Sequence, residues 1–247
     1  MGKLRVTFLG SGDAFGSGGR YQTCILVQGS GSGFLVDCGA SSLIAIRRFG
    51  VDPNAVGTIL LSHLHGDHFG GVPFFLLDAQ LISKRTAPLR IAGPPGTEQR
   101  LREAMDVLFP GMSAVQQKYG IEIVELPPGE RTELPGLTVT PQTVRHTPGT
   151  EPMALRIECD GRSLCYTGDT EWCDALVPAA QGVDLLIAEA YFYEKRIPMH
   201  LDLASLHAHL EELRPRRVVL THMSADMLAR VPELEFECAE DGLVLEV

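Results

Sequence analysis

Apolar and polar positions along this chain fall into short runs whose period changes from segment to segment. Leu4–Leu9 alternates and is rich in β-formers, which predicts a strand. A glycine-rich loop, Gly10 to Arg20, follows it. Thr23–Val27 and Gly33–Asp37 read as a hairpin pair joined by Gly29-Ser30-Gly31-Ser32. Ser41–Phe49 predicts a short helix with Ser41 or Ser42 as its cap. Val56–Leu61 is an apolar run of strand length, and Gly71–Ser83 predicts a helix. Leu89–Ala92 is a further strand, and Thr97–Phe109 a further helix. Three or four strands follow: Ile121–Leu126, Leu137–Val144, Met153–Cys159 and Ser163–Thr167. Asp174–Ala180 and Leu203–Leu213 read as helices, Asp184–Ala188 and Val218–Leu220 as strands, and Phe236–Val247 as terminal β-structure. Runs of strands followed by strand–helix alternation suit an α/β fold with two sheets and helices on their outer faces. Pro127-Pro128-Gly129 is a turn rather than a linker, so residues 1–247 read as one domain.

Composition narrows the function. The chain has 247 residues, 45% hydrophobic and 21% charged, which are ordinary globular values. Its 21 basic and 31 acidic residues give a net charge of −10. A field of that sign repels phosphate backbones at long range and argues against nucleic acid as a partner, though not against a small phosphorylated substrate. The longest apolar candidate, Val72–Leu77, contains Pro73 and falls far short of the ~18 residues of a membrane span. The N-terminal apolar stretch is too short for a signal peptide. Six cysteines show no CxxC pair, and Cys24, Cys159 and Cys165 lie inside apolar strands. The expectation is a reduced, cytoplasmic protein.

The informative stretch is His63-Leu64-His65-Gly66-Asp67-His68, which closes an apolar strand. In an extended segment, residues i and i+2 point the same way about 7 Å apart, so His63 and His65 can converge on one ion. Gly66 would let the chain turn, presenting Asp67 and His68 to a neighbouring point. His146, Asp169 and His222 each close an apolar strand as well. Alone, each serves equally well as a core or cap residue. Together with the first cluster they suit a shared site at one sheet edge. One ion would take His63, His65 and His146, another Asp67, His68 and His222, with Asp169 bridging. Imidazole and carboxylate ligands suit zinc or manganese, with iron as a third choice. A water between two divalent ions loses a proton near neutral pH and becomes a nucleophile. His207 and His209 lie about 200° apart around a helix and cannot chelate one ion together.

These residues, with Phe8-Leu9-Gly10-Ser11-Gly12, Val36-Asp37-Cys38-Gly39 and Tyr166-Thr167-Gly168-Asp169-Thr170, resemble the metallo-β-lactamase superfamily over nearly the whole chain. The resemblance is greatest to its ribonuclease Z-like branch, which includes the cyclic phosphodiesterase of phosphonate breakdown. It implies a four-layered αββα sandwich, two divalent ions and phosphodiester hydrolysis through a bridging hydroxide. Ile187-Ala188-Glu189-Ala190 followed by His200 resembles that branch's Glu and His pair. This places Glu189 and His200, with Asp67, in the catalytic set, His200 contacting the phosphate or protonating the leaving group. The sequence departs from the branch in three places. Leu201-Asp202 stands where a small hydroxyl residue is usual. Only two strands' worth of chain separates His146 from Asp169, with no long arm for tRNA. The cysteine-rich insertion of the phosphonate enzyme is missing. Members of the family often form homodimers, although no stretch here marks an interface.

The expected activity is a metal-dependent phosphodiesterase for a small or cyclic substrate. Hydrolysis of a thioester, lactone or β-lactam on the same scaffold, or a metal-bearing accessory role without catalysis, are the alternatives. Gly10-Ser11-Gly12-Asp13-Ala14-Phe15-Gly16 resembles a dinucleotide fingerprint, but its last glycine comes one residue late and no helix pattern follows. It reads instead as a loop over the site, from which Arg20 and Tyr21 could reach a substrate. Asp37 reads as a partner orienting the ligand loop.

Overall fold

The computed structural model describes residues 2–31, 33–147 and 151–247. Ser32 of the expected hairpin turn, and Pro148 and Gly149 after His146, lie outside the described residues. Two seven-stranded sheets carry the fold. The first is built from β1 (Arg5–Gly10), β2 (Cys24–Gln28), β3 (Gly33–Val36), β4 (Val56–Leu60), β5 (Leu89–Gly93) and β6 (Ile121–Glu125). The second is built from β7 (Thr132–Leu134), β8 (Leu137–Thr143), β9 (Met153–Cys159), β10 (Arg162–Tyr166), β11 (Leu185–Glu189), β12 (Val218–Thr221) and β13 (Glu237–Cys238). The last strand, β14 (Val244–Glu246), returns to pair antiparallel with β1 in the first sheet.

The apolar runs are continuous because both faces of each sheet are buried. Along β2, Ile25 and Val27 face the second sheet, while Cys24 and Leu26 face the helices. Along β11, Leu185 and Ile187 face the first sheet, while Leu186 and Ala188 face outward. Three cores result. One lies between the sheets. The second lies under α1 (Ser42–Arg48), α3 (Val72–Leu81) and α4 (Thr97–Leu108), with α2 (Gly66–Phe69) at its end. The third lies under α5 (Leu176–Ala180), α6 (Leu203–Leu213) and α7 (Ala225–Arg230). The architecture is the expected αββα sandwich. No helix among the described residues is long and apolar enough to cross a membrane.

Several local expectations need correction. The Gly71–Ser83 helix is shorter, Val72–Leu81, with Pro73 in its first turn, where a missing N–H costs nothing. Phe236–Val247 is not one β-segment but two short strands in different sheets, separated by a turn. The strand β7 and the helix α7 carry too little pattern to have been read. Ser41 does not cap α1 with its side chain; its hydroxyl instead accepts a hydrogen bond from the Gln22 N–H at 2.8 Å.

The strand directions position the site. The strands β3 to β6 run parallel, as do β10 to β13. Ligands of open α/β sheets sit beyond the carboxyl ends of such strands. The two sheets meet at that edge: Met153 N–H donates to the Ser62 carbonyl at 2.9 Å, and His222 N–H to the Ser11 carbonyl at 3.2 Å. Phe8, fully buried between the sheets, tests their contact. Phe8→Ala is expected to cost about 3–5 kcal/mol, read as a lower urea midpoint with an unchanged m-value.

Candidate metal centre

Each candidate ligand leaves a strand end. His63 and His65 follow β4, and His146 follows β8. Asp169 follows β10, Glu189 ends β11, and His222 follows β12. Asp67 and His68 lie in the single helical turn of α2. Gly66 is therefore not a flexible hinge. It opens that turn in ordinary helical space, and a Cβ there would meet nothing within 4 Å. What fixes α2 is a backbone clamp to the loop after β3. Cys38 N–H donates to the His68 carbonyl at 2.6 Å, Ala40 N–H to Gly66 at 3.1 Å, and Gly71 N–H to Cys38 at 2.8 Å. The loop passes so close that a Cβ on Gly39 would lie 2.2 Å from the Asp67 carbonyl oxygen.

Asp37 organises the centre from beneath, as expected. It is fully buried and holds a left-handed backbone, φ 58°, a sparsely populated region that costs energy outside glycine. Its carboxylate accepts from Ser62 N–H and Ser62 Oγ–H, each at 2.8 Å, and from His68 Nδ1–H at 2.7 Å. With its proton committed to Asp37, the Ser62 hydroxyl accepts from His63 Nδ1–H at 3.0 Å. His146 Nδ1–H donates to the Met199 carbonyl at 2.8 Å. All three imidazoles therefore turn Nε2 toward a common centre, the arrangement that orients metal-ligating histidines.

At that centre the expected residues gather into groups able to hold a metal ion. His63, His65 and His146 form one group; Asp67, His68, Asp169 and His222 form another. His146 Nε2 lies 3.1 Å from His65 Nδ1, and His68 Nε2 lies 3.2 Å from His222 Nε2. Asp169 stands between the groups. Its Oδ1 is 3.3 Å from His68 Nε2, while its Oδ2 is 3.5 Å from His222 Nε2 and 3.9 Å from both His63 Nε2 and His146 Nε2. A third group joins Asp169 and His222 to Glu189 and His200. His207 and His209 stay outside all three groups: His207 packs edge-on to Phe236, and His209 stacks on Trp172.

Electrostatics fit a cation here. Burial alone would raise the Asp67 carboxyl, but hydrogen bonds from His222 and His68 hold it well below the usual range. Burial would raise Asp169 too, yet His222 and His68 hold it down. Burial would lower His68, but Asp169 and Asp37 raise it well above the ordinary imidazole value. His222 behaves alike, lifted to about 10 by Asp169, Asp67 and Glu189 against its burial. The two carboxylates keep their charge by drawing protons onto these imidazoles, a role that a divalent cation would take over. Burial, followed by the nearby His68 charge, holds His63 well below its ordinary value, and burial followed by His146 lowers His65. Neutral imidazole is the form that binds metal. His63 Nε2 and Asp169 Oδ1 are buried without hydrogen-bond partners, the kind of atoms an ion would satisfy.

Beside this centre, Glu189 is fully buried. One of its oxygens accepts from Thr170 N–H at 3.0 Å and Leu201 N–H at 3.2 Å; the other is hydrogen-bonded to His200 Nδ1. Burial works to lower His200, but that hydrogen bond and the Glu189 charge raise it overall. The departure at Leu201-Asp202 has a structural use: Leu201 is buried, and the Asp202 carboxylate caps α6 by accepting from Ser205 N–H at 2.8 Å. Arg20 does not reach outward, since its guanidinium donates to the Ala239 carbonyl at 2.5 Å. Tyr21 packs against the outer core of the first sheet.

Ser62, Met199 and Tyr191 were missed in the sequence as site residues. Tyr191 had a signal, lying at i+2 from Glu189 in an extended segment, on the same face. The Met199 contact depends on a carbonyl brought in by the fold and had none. Asp37→Ala would strand Ser62 and His68 and is expected to lower affinity for added Zn²⁺ about 10–100-fold, measured by competition with a chromophoric chelator.

Residues 33–223 match the beta-lactamase superfamily domain. A ribonuclease Z of Methanosarcina acetivorans is 27% identical, over 90% of this chain and 88% of its own. Among solved structures, the short form of human tRNase Z superposes with TM-score 0.80 at 24% identity, covering 98% of each chain. A diphosphatase from the PhnP family superposes with TM-score 0.79 at 22% identity, covering 99% of this chain and 98% of that one. The names of these relatives stand against the exclusion of nucleic acid drawn from net charge. The fold they share implies divalent metal binding at the clustered histidines and aspartates. The chain belongs to the metallo-β-lactamase superfamily, with ribonuclease Z among its homologues.

Proposed function

We propose that this protein is a metal-dependent phosphodiesterase acting on a small or cyclic phosphodiester. The observation that carries the reading is the Glu189–His200 pair beside Asp169, in which the carboxylate favours the protonated form of an imidazole set against the metal-ligand cluster. Such an acid serves an alkoxide leaving group, whose departure needs a proton. The relatives named ribonuclease Z support phosphorus over a carbonyl carbon as the electrophile.

Two ions would be held here, zinc or manganese from the mixed nitrogen and oxygen donors, with iron as a third choice. His63, His65 and His146 would hold one, Asp67, His68 and His222 the other, and Asp169 would serve both. Divalent metal, when bound, supplies Lewis acidity toward the phosphoryl oxygens and an acidified water. The chain's own residues do the rest. Asp67 and Asp169 hold negative charge in a buried place that excludes bulk water. Glu189, fixed by Thr170 N–H and Leu201 N–H, accepts a hydrogen bond from His200 Nδ1–H, which orients the ring and leaves the proton on Nε2 as the one available for transfer. His200 then gives a proton to the leaving oxygen.

The short path from His146 to Asp169 favours a small substrate, and precursor tRNA, which the relatives' names raise as the other candidate, is assayed beside the small diester; faster cleavage of precursor tRNA would overturn the small-substrate reading. All six cysteines are unpaired and five are buried, which supports a reducing cytoplasm as the compartment.

In metal-loaded protein, His65→Ala and Asp169→Ala are each expected to abolish hydrolysis of bis-p-nitrophenyl phosphate. Full activity in both variants would falsify the reading. Hydrolysis of thioesters or lactones in preference to phosphodiesters would move it to carbon. His200→Ala is expected to keep its metal content and lose about 10²–10⁴-fold in rate. The loss should be larger for an alkyl leaving group than for p-nitrophenolate, which departs without a proton; equal losses for both would remove His200 from the role of acid.

A further inference from the structure

Tyr191 lies two residues beyond Glu189, and its ring rests on His200, with centroids 4.6 Å apart and planes 26° from parallel. The His222 ring is 6.0 Å away. The residue is held firmly. Its N–H donates to the Leu201 carbonyl at 2.8 Å, and its carbonyl accepts from Ser224 N–H at 3.1 Å. Phe192 packs edge-on to the ring at 4.9 Å. Among the described residues the phenol hydroxyl has no hydrogen-bond partner, and the residue is only half-buried. Beside it, Glu189 is hydrogen-bonded to His200 and lies 3.4 Å from His222 Nδ1. A rigid side chain with an uncommitted O–H stacked on the His200 imidazole is a preorganised donor, requiring little rearrangement when charge develops near it. The obvious alternative donor in the loop beside the site, Arg20, is occupied with Ala239 and Ser11.

We propose that the Tyr191 hydroxyl is a catalytic hydrogen-bond donor, directed to a non-bridging oxygen of a phosphoryl group seated between His200 and the metal centre. The inference rests on the phosphodiesterase reading for its reaction, but not for its ligand, which is any tetrahedral or trigonal phosphorus-like oxyanion. Because a phenol is neutral, it contributes a directed bond rather than a charge. Its benefit should therefore grow as charge accumulates on the phosphoryl oxygens, appearing in kcat more than in KM. The stacked ring would persist in Tyr191→Phe, so that substitution isolates the hydroxyl.

The test compares wild type with Tyr191→Phe, both metal-loaded, in two measurements. Turnover of bis-p-nitrophenyl phosphate is expected to fall about 10–100-fold in kcat, with KM within about threefold and with metal content and Tm unchanged. Affinity for orthovanadate, measured by calorimetry, is expected to fall about tenfold. Tyr191→Leu, which also removes the ring from His200, should lose more rate than Tyr191→Phe. Wild-type binding of orthovanadate by Tyr191→Phe overturns the proposal, as do undiminished turnover in that variant where the wild type is active and failure of the wild-type protein to bind orthovanadate. If neither protein hydrolyses a phosphodiester while vanadate binding still weakens in Tyr191→Phe, the donor role stands and the phosphodiesterase reading is what fails.

Discussion

Two carboxylates, Asp67 and Asp169, are buried at the meeting edge of two sheets, and each must be compensated there. Isolated charge in such a place is prohibitive, so the surrounding imidazoles are arranged to supply positive charge or to present lone pairs to a cation. The raised His68 and His222 and the lowered Asp67 and Asp169 are two views of one requirement. His63 and His65 are pushed the opposite way, by burial first and then by the neighbouring imidazoles His68 and His146. The site is thus divided into a nitrogen-rich half and a carboxylate-bearing half, with Asp169 reaching both.

Holding this arrangement takes a backbone device and a side-chain device. The loop after β3 grips α2 through three main-chain hydrogen bonds, at a separation that only glycine at position 39 permits. Asp37 ties Ser62 and His68 to one carboxylate and, through Ser62, settles which nitrogen of His63 faces inward. Both devices belong to the first sheet. The second sheet contributes Asp169, Glu189 and His222 from neighbouring parallel strands, β10, β11 and β12. Gly168, φ 61°, lets the chain leave β10 where a side chain would press on the Met153 carbonyl. His222 adopts φ 56° as its backbone N–H reaches Ser11 across the sheet edge. Left-handed backbone at Asp37 and at His222 marks the places where the fold bends to bring ligands together.

Most of the strands were legible because burial on both sheet faces leaves long apolar runs, as in β2 and β11. The misreadings share a cause. The two-residue β13 and three-residue β14 are too short to show a period, and only pairing with β12 and β1 makes them strands. The one-turn α2 was read only as a turn at Gly66, since four residues carry no helical periodicity and their conformation is set by the clamp from Cys38 and Ala40. Arg20 looked available as a surface cation, but its partner, the Ala239 carbonyl, is 219 residues away along the chain.

Residue type and spacing by themselves determined the candidate ligands, because three histidines and an aspartate within six residues give the lone strand-end residues His146, Asp169 and His222 a shared use, and the i, i+2 geometry of extended chain is local. They also determined that the protein is a layered α/β molecule, since apolar runs of strand length alternating with helical patterns need no long-range information to be read. Only the tertiary structure decided which nitrogen each histidine turns inward, that Glu189 stands between His200 and His222, and that Tyr191 lays its ring on His200. Those facts depend on hydrogen bonds and ring contacts between segments far apart in the chain, and a one-dimensional pattern holds no record of which distant donor will face which acceptor.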